Sequence, residues 1–232
     1  MKPHIICHMV TSLDGRLHPS GWTRSPDGDR ATWSEVYERI HAALEPDAWM
    51  VGRTTLAEMA RAEPHPPADF GAVARSQHLP VRGAQGYAIA IDPSGKLHFS
   101  GPTLGGDAVV VLLGNGIADS HLAELAADGI SYLVADGPEM DLAAMLETLG
   151  RELGIRRLLL EGGAKTNGAL LAAGLVDEFS LVLTPTLDGR PAIAAIVDAG
   201  PEGLAGKVEL SLISCENAGN GCFHLRYAVG RG

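Results

Sequence analysis

The segment Leu158-Leu159-Leu160-Glu161-Gly162-Gly163-Ala164-Lys165-Thr166-Asn167-Gly168 carries the clearest chemical pattern in the sequence. An apolar run of strand length meets an acid, then two glycines, then residues that can open a helix. Gly162 and Gly163 have no side chains to hold a ligand off the backbone, and the exposed amides of a helix start favour an anion such as a pyrophosphate. The alternative is that the glycines only make a tight strand-to-helix turn. Two other phosphate motifs fail. Gly163 and Gly168 have P-loop spacing, but Ala169 and Leu170 stand where Lys and Ser/Thr are required. Nor are the three spaced glycines of the dinucleotide fingerprint present with their later acid.

Other chemistries find less support. The nine histidines form no HExxH motif and no closely spaced cluster, so no metal site is expected. His8 alternates onto the inward side of the first strand and reads as a hydrogen-bonded interior residue. Asp14 precedes Gly15 after a strand, where its carboxylate either bonds its own turn or meets a ligand. Trp22 and Trp33 flank a polar loop, where they would anchor its packing or stack on a heterocycle. A Gly-x-Ser-x-Gly elbow is missing, which removes a hydrolase triad of that type.

The elements that must position these residues alternate between strand and helix, the pattern of an α/β domain with a largely parallel sheet. Strands are expected at Ile5 to Thr11, Ala48 to Val51, Tyr87 to Ile91, Ala108 to Leu113, Ile130 to Ala135 and Arg157 to Glu161. Thr32 and Glu35 have capping-box spacing, so a helix should start near Trp33 and end before Pro46. Further helices follow Gly52 toward Ala60, run from Ala118 to Ala127, follow Asp141 as cap, and span Ala164 to Ala173. Glu63 to Pro80 reads as a long surface loop. Glu178 to Thr184, Val208 to Cys215 and Cys222 to Val229 are extended and antiparallel in character. These C-terminal strands could also pair with a second copy. No repeat or linker divides the 232 residues, so a single domain is expected.

Composition narrows the classes further. Apolar residues make up 46% and charged residues 20%, with a positive mean hydropathy, which excludes disorder. Eighteen Lys and Arg against 28 Asp and Glu give a net charge of -10 without basic clusters, so nucleic acid is not an expected partner. Three cysteines, Cys7, Cys215 and Cys222, form no CxxC pair. A reducing, cytoplasmic setting fits, and no segment approaches the length of a membrane span.

Several separated stretches together resemble a known family. Thr11-Ser12-Leu13-Asp14-Gly15-Arg16, Met50-Val51-Gly52-Arg53-Thr54-Thr55, the Glu161-Gly162-Gly163 turn and Gly174-Leu175-Val176-Asp177-Glu178 occur in one order. They resemble the reductase domain of the riboflavin-pathway deaminase/reductase proteins. The resemblance implies a three-layer dihydrofolate-reductase-like fold, with a mixed, mostly parallel sheet, helices on both faces and antiparallel C-terminal strands. It also implies NADPH, a homodimer, and reduction of a phosphoribosylaminopyrimidine at the ribose C1. Gly162, Gly163, Ala164, Lys165, Thr166 and Asn167 would then hold the pyrophosphate. Val10 and Thr11 would face the nicotinamide, and Gly52 and Thr55 would lie against phosphate or ribose. Arg53 would grip the 2′-phosphate, completed by Ser94 and Lys96. Glu161 is the first candidate for a substrate-binding or catalytic acid, and Asp14 the second.

The sequence also departs from that family. Ala43 stands where a substrate-phosphate arginine is expected, and Met59 replaces an acid after the Gly-x-x-Thr turn. Arg61 to Ala74 does not match the usual substrate loop, and the zinc-deaminase motifs are absent. Arg30, Arg61 and Arg75 are candidate replacements for the missing phosphate charge, with Arg30 the substrate-binding choice. Two rivals stay open: reduction of a dihydropterin or other small heterocycle, and NADPH binding without catalysis.

Overall fold

The computed structural model of the chain describes residues 1–232. In chain order its elements are β1 (His4–Thr11), α1 (Arg30–Ala43), β2 (Ala48–Gly52), α2 (Arg53–Ala60), β3 (Gln77–His78), β4 (Tyr87–Asp92), β5 (Thr103–Leu104) and β6 (Asp107–Leu113), followed by α3 (Asp119–Ala127), β7 (Ser131–Val134), α4 (Leu142–Glu152), β8 (Arg157–Leu160), α5 (Ala164–Ala172), β9 (Glu178–Leu183), β10 (Glu209–Gly219) and β11 (Cys222–Gly230). The eleven strands are mostly parallel, with antiparallel strands at the C-terminus.

Two compact units divide these elements, one made of Met1–Pro3 and Asp47–Leu158, the other of His4–Pro46 and Leu159–Gly232. In the first, β2, β4, β6 and β7 pair in parallel in that order, while β3 joins β7 and β5 joins β6 antiparallel. Successive residues of β4 and β6 are buried on both faces: Ala88, Ile89 and Ala90, then Val109, Val110 and Val111. That double burial is why both strands read as unbroken apolar runs rather than as an alternation. In the second unit β9 lies parallel to β1 and antiparallel to β11, which carries β10 at its other side.

The helices show which local signals won. Asp141 caps α4 by accepting from the Ala144 amide, as its position predicts, and Met145, Leu146 and Leu149 form the buried stripe. The first helix begins at Arg30, not near Trp33. Asp29 is its cap and accepts from the Thr32 amide at 3.0 Å, so the expected Thr32 capping box gives way to an acid three residues earlier. The C-terminal hairpin is longer than expected, with β10 running to Gly219. Asn220 and Gly221 both have positive φ, 52° and 72°, the backbone of a two-residue hairpin turn with this sequence preference. Most of β10 is exposed, so it lacks the apolar run that would have marked its full length.

Candidate active site

Glu161 is the first residue past β8 and is 14% exposed. Tyr37 and His41, one turn apart on α1, both reach its Oε1. The Tyr37 hydroxyl donates to it at 2.7 Å and also lies 3.2 Å from the His8 carbonyl, while His41 Nδ1 stands 2.8 Å away. Burial pushes the Tyr37 hydroxyl well above its ordinary pKa, and the neighbouring Glu161 charge adds to the rise, so it stays a proton donor. Behind it the His8 ring stacks on Tyr37 with centroids 4.3 Å apart. His8 Nδ1 is 3.0 Å from Ser180 Oγ, which is 2.8 Å from His224 Nε2. Burial lowers the His8 pKa to about 4 against the opposing pull of Glu161, so the ring is neutral near pH 7. A carboxylate oxygen held between a phenol and an imidazole can bind a polar substrate group in a fixed orientation and share a proton with it.

The glycine turn follows directly. Gly162 has φ of +104°, a conformation side chains rarely adopt, and its peptide bond to Gly163 is cis. Gly163 is the N-cap of α5 and brings no side chain to its first-turn amides, so the backbone there fits a pyrophosphate. Lys165 is exposed and Thr166 half-buried, while Ala164 is buried. Asn167 also has a structural contact. It is fully buried, with Nδ2 donating to the Ile196 carbonyl at 2.8 Å, so its side chain fastens the 196–198 segment to α5, while its buried Oδ1 has no hydrogen-bond partner. Gly168 packs there too: a Cβ would fall 2.1 Å from the Asp198 carbonyl oxygen.

At the end of β1, Val10 is half-buried and Thr11 buried. The Thr11 carbonyl already accepts from the Thr184 amide and hydroxyl at 2.9 and 3.0 Å. Asp14 accepts from the Ser12 hydroxyl at 2.6 Å and from the Asp188 and Gly189 amides at 3.0 and 2.8 Å. These donors, the hydroxyl first, hold its pKa below the usual carboxylate range. Asp14 is thereby an ionised anchor that ties its own turn to the 188–189 segment.

In the other unit, β2 and β4 end side by side, with Gly52 opposite Ile91. Gly52 is the N-cap of α2 and has no capping side chain, and Thr55 is half-buried in the first turn. Asp92, fully buried, accepts from Ser94 Oγ at 3.1 Å and from the Lys96 and Leu97 amides at 2.6 and 2.8 Å. Arg53 keeps its Nε 4.0 Å from Asp92 Oδ1 with its side chain 42% exposed, so the guanidinium is steered yet open to solvent. An open arginine beside a helix start suits a phosphate monoester.

The other candidate cations differ in how they are held. Arg75 is tied to Asp119 and to the Asn115 and Ile117 carbonyls, and Arg61 donates to the Glu58 carbonyl within its own turn. Arg30 is exposed at the first position of α1. Arg39, one turn before Ala43, lines a cavity of about 260 Å³ with it and donates to the Ala218 carbonyl.

Comparison with known proteins decides the family. The RibD C-terminal domain matches residues 3–223. The chain belongs to this family. A 2,5-diamino-6-ribosylamino-4(3H)-pyrimidinone 5′-phosphate reductase of Methanothermobacter thermautotrophicus is 30% identical over 220 residues, covering 91% of this chain and 92% of that protein. The Archaeoglobus fulgidus protein of the same name is 24% identical over 193 residues, covering 82% and 83%. Among solved structures, a pyrimidine reductase-like protein of Corynebacterium diphtheriae has a TM-score of 0.68 at 19% identity, covering 99% of this chain and 93% of that one. Acinetobacter baumannii RibD gives 0.66 at 22% identity, covering 99% of this chain and 58% of that one. The fold of this RibD C-terminal domain is thus the dihydrofolate-reductase-like one that its sequence resembles.

The two side chains that hold Glu161 are not singled out by the sequence of this RibD C-terminal domain. Tyr37 and His41 both lie on α1. Their meeting with Glu161 spans 124 and 120 positions. The available signal was their spacing of four, which puts a phenol and an imidazole on one helix face.

Proposed function

We propose that this RibD C-terminal domain is an NADPH-dependent reductase of 2,5-diamino-6-ribosylamino-4(3H)-pyrimidinone 5′-phosphate, working as one catalytic domain. Two observations support the substrate: 30% identity to a reductase so named, and alignment over nearly the full length of both chains. The observation that carries the chemistry is Glu161, held by Tyr37 and His41 at the edge of the Gly162-Gly163 turn.

When bound, NADPH would supply the hydride that the ribose C1 accepts. The bond from C1 to the ring oxygen breaks, and that oxygen takes a proton, leaving an open ribityl chain. In this reading the Glu161–His41 pair orients the substrate and passes the proton, while Tyr37 fixes Oε1 so that little reorganisation is needed. The amides after Gly163 would hold the pyrophosphate. Val10 and Thr11 would border the nicotinamide, and Gly52, Arg53, Thr55 and Ser94 would serve the phosphate end. Arg53 would give NADPH its advantage over NADH. Leu210, Leu212 and Ile213 are exposed on β10, and we assign that strand to pairing with a second copy. No helix is long and apolar enough to cross a membrane. All three cysteines are free, which suits the cytoplasm we assign it to.

Following NADPH oxidation against the diamino-pyrimidinone, its deaminated uracil counterpart and a dihydropterin tests the proposal. Turnover is expected with the first, weaker by about tenfold or more with the second. Preference for the pterin would favour the heterocycle reading, and tight NADPH binding without any oxidation would favour a non-catalytic protein.

A further inference from the structure

His121 and Glu124 stand three positions apart on α3, which places both side chains on one face of the helix. Both are buried, at 8% and 2% exposure. The loop after β4 brings His98 onto the same face between buried Leu97 and Phe99. His98 Nδ1 lies 2.7 Å from Glu124 Oε1, and the His98 and His121 rings meet edge to face with centroids 5.3 Å apart. One ligating atom from each of the three residues lies within 4.8 Å of the others. The sequence hides this trio, because His98 is 26 positions from Glu124.

A plain ion pair explains part of the cluster. Buried Glu124 needs a partner, and His98 supplies one; His65 adds another, with Nδ1 at 3.2 Å, while its Nε2 pairs with Asp128 at 2.9 Å. The ion pair leaves His121 unexplained. Its Nε2 is buried and has no hydrogen-bond partner, although buried imidazole nitrogens are ordinarily satisfied. A second imidazole held beside a buried carboxylate and another histidine is a ligand set for a divalent metal. Two nitrogens and one carboxylate oxygen suit zinc and its neighbours, whose bonds of about 2.0–2.2 Å ask only small rotations of side chains already this close. With no thiolate in the set, softer ions are not selected.

We propose that His98, His121 and Glu124 form a site for one divalent transition-metal ion of the zinc type, fastening the loop after β4 to α3. Its residues are distinct from those assigned to cofactor and substrate. Binding would replace the His98–Glu124 hydrogen bond and give His121 its missing partner.

The test is calorimetric titration of the metal-stripped full chain with Zn²⁺, alongside the visible spectrum on adding Co²⁺. Saturable uptake of a single ion per chain is expected, with a rise in Tm. His121→Gln and His98→Gln should each weaken it by about tenfold or more, the scale of a lost ligand, while His18→Gln on the surface leaves it unchanged. Absence of saturable uptake, or uptake that His121→Gln does not alter, would overturn the site. Should those variants fail to fold, nitrogen NMR of the wild-type histidine rings decides. Zn²⁺ must move the His98 and His121 resonances and spare His18, and unmoved His121 resonances would overturn the proposal.

Discussion

Asp92 closes β4 as a fully buried carboxylate taken up by the main-chain amides of Lys96 and Leu97 and by Ser94, whereas Glu161, just past β8, meets side chains, the Tyr37 hydroxyl and the His41 imidazole. Main-chain donors fix a loop, and what such a carboxylate offers beyond the loop is its charge, as Asp92 offers it to Arg53. Side-chain donors on a helix hold an oxygen just as firmly, yet they can exchange a proton or yield to a substrate group. Asp14 belongs with Asp92, since its partners are two amides and a neighbouring hydroxyl. Strand-end acids in this fold therefore divide by the kind of partner, and the proposed function assigns chemistry to the one held by side chains.

The largest expected break in the comparison is Glu161→Gln. It should lower kcat by about 10²–10⁴, the scale of lost acid–base catalysis, and leave NADPH affinity within a few fold in calorimetry. Unchanged turnover would remove Glu161 from the mechanism. His8, stacked behind Tyr37, gives a pH signature. Its folded pKa is lowered to about 4 from 6.5, so between those values the unfolded chain binds a proton that the native one does not. Stability should thus fall as pH drops from 6.5 toward 4, with a slope of at most about 1.4 kcal/mol per pH unit, and urea melts of His8→Asn should lack that slope. On the scaffold side, Asp92→Asn should cost about 1–3 kcal/mol in the same melts by leaving loop amides poorly paired, with kcat at saturating NADPH little changed. The smallest effect belongs to Arg53→Gln, which should erode the preference for NADPH over NADH by about tenfold, or 1.4 kcal/mol, in paired titrations. An unaltered preference would move the 2′-phosphate contact elsewhere.

What could be read from the sequence follows from how local each signal is. The runs in β4 and β6 stand out because both faces are buried, and the Asp141 cap and the Gly162-Gly163 turn are written in adjacent residues. Thr32 and Glu35 imitate a capping box while Asp29 does the capping, so the local signal places the start of α1 too late. The reach of β10 was hidden by its exposure, although Asn220-Gly221 marks the turn. Roles that depend on distant partners were out of reach. Nothing near Asn167 announces that Ile196 will claim its side chain, and nothing near Glu161 announces Tyr37 or His41.

The most direct test of the central claim is a turnover with NADPH deuterated at the transferring C4 position, prepared in each stereochemical form, on 2,5-diamino-6-ribosylamino-4(3H)-pyrimidinone 5′-phosphate. With one of the two forms, the product should carry deuterium at C1 of an opened ribityl chain, and Glu161→Gln should form that labelled product far more slowly. Recovery of unreacted substrate, or NADPH oxidation with no label at C1 from either form, would contradict the account.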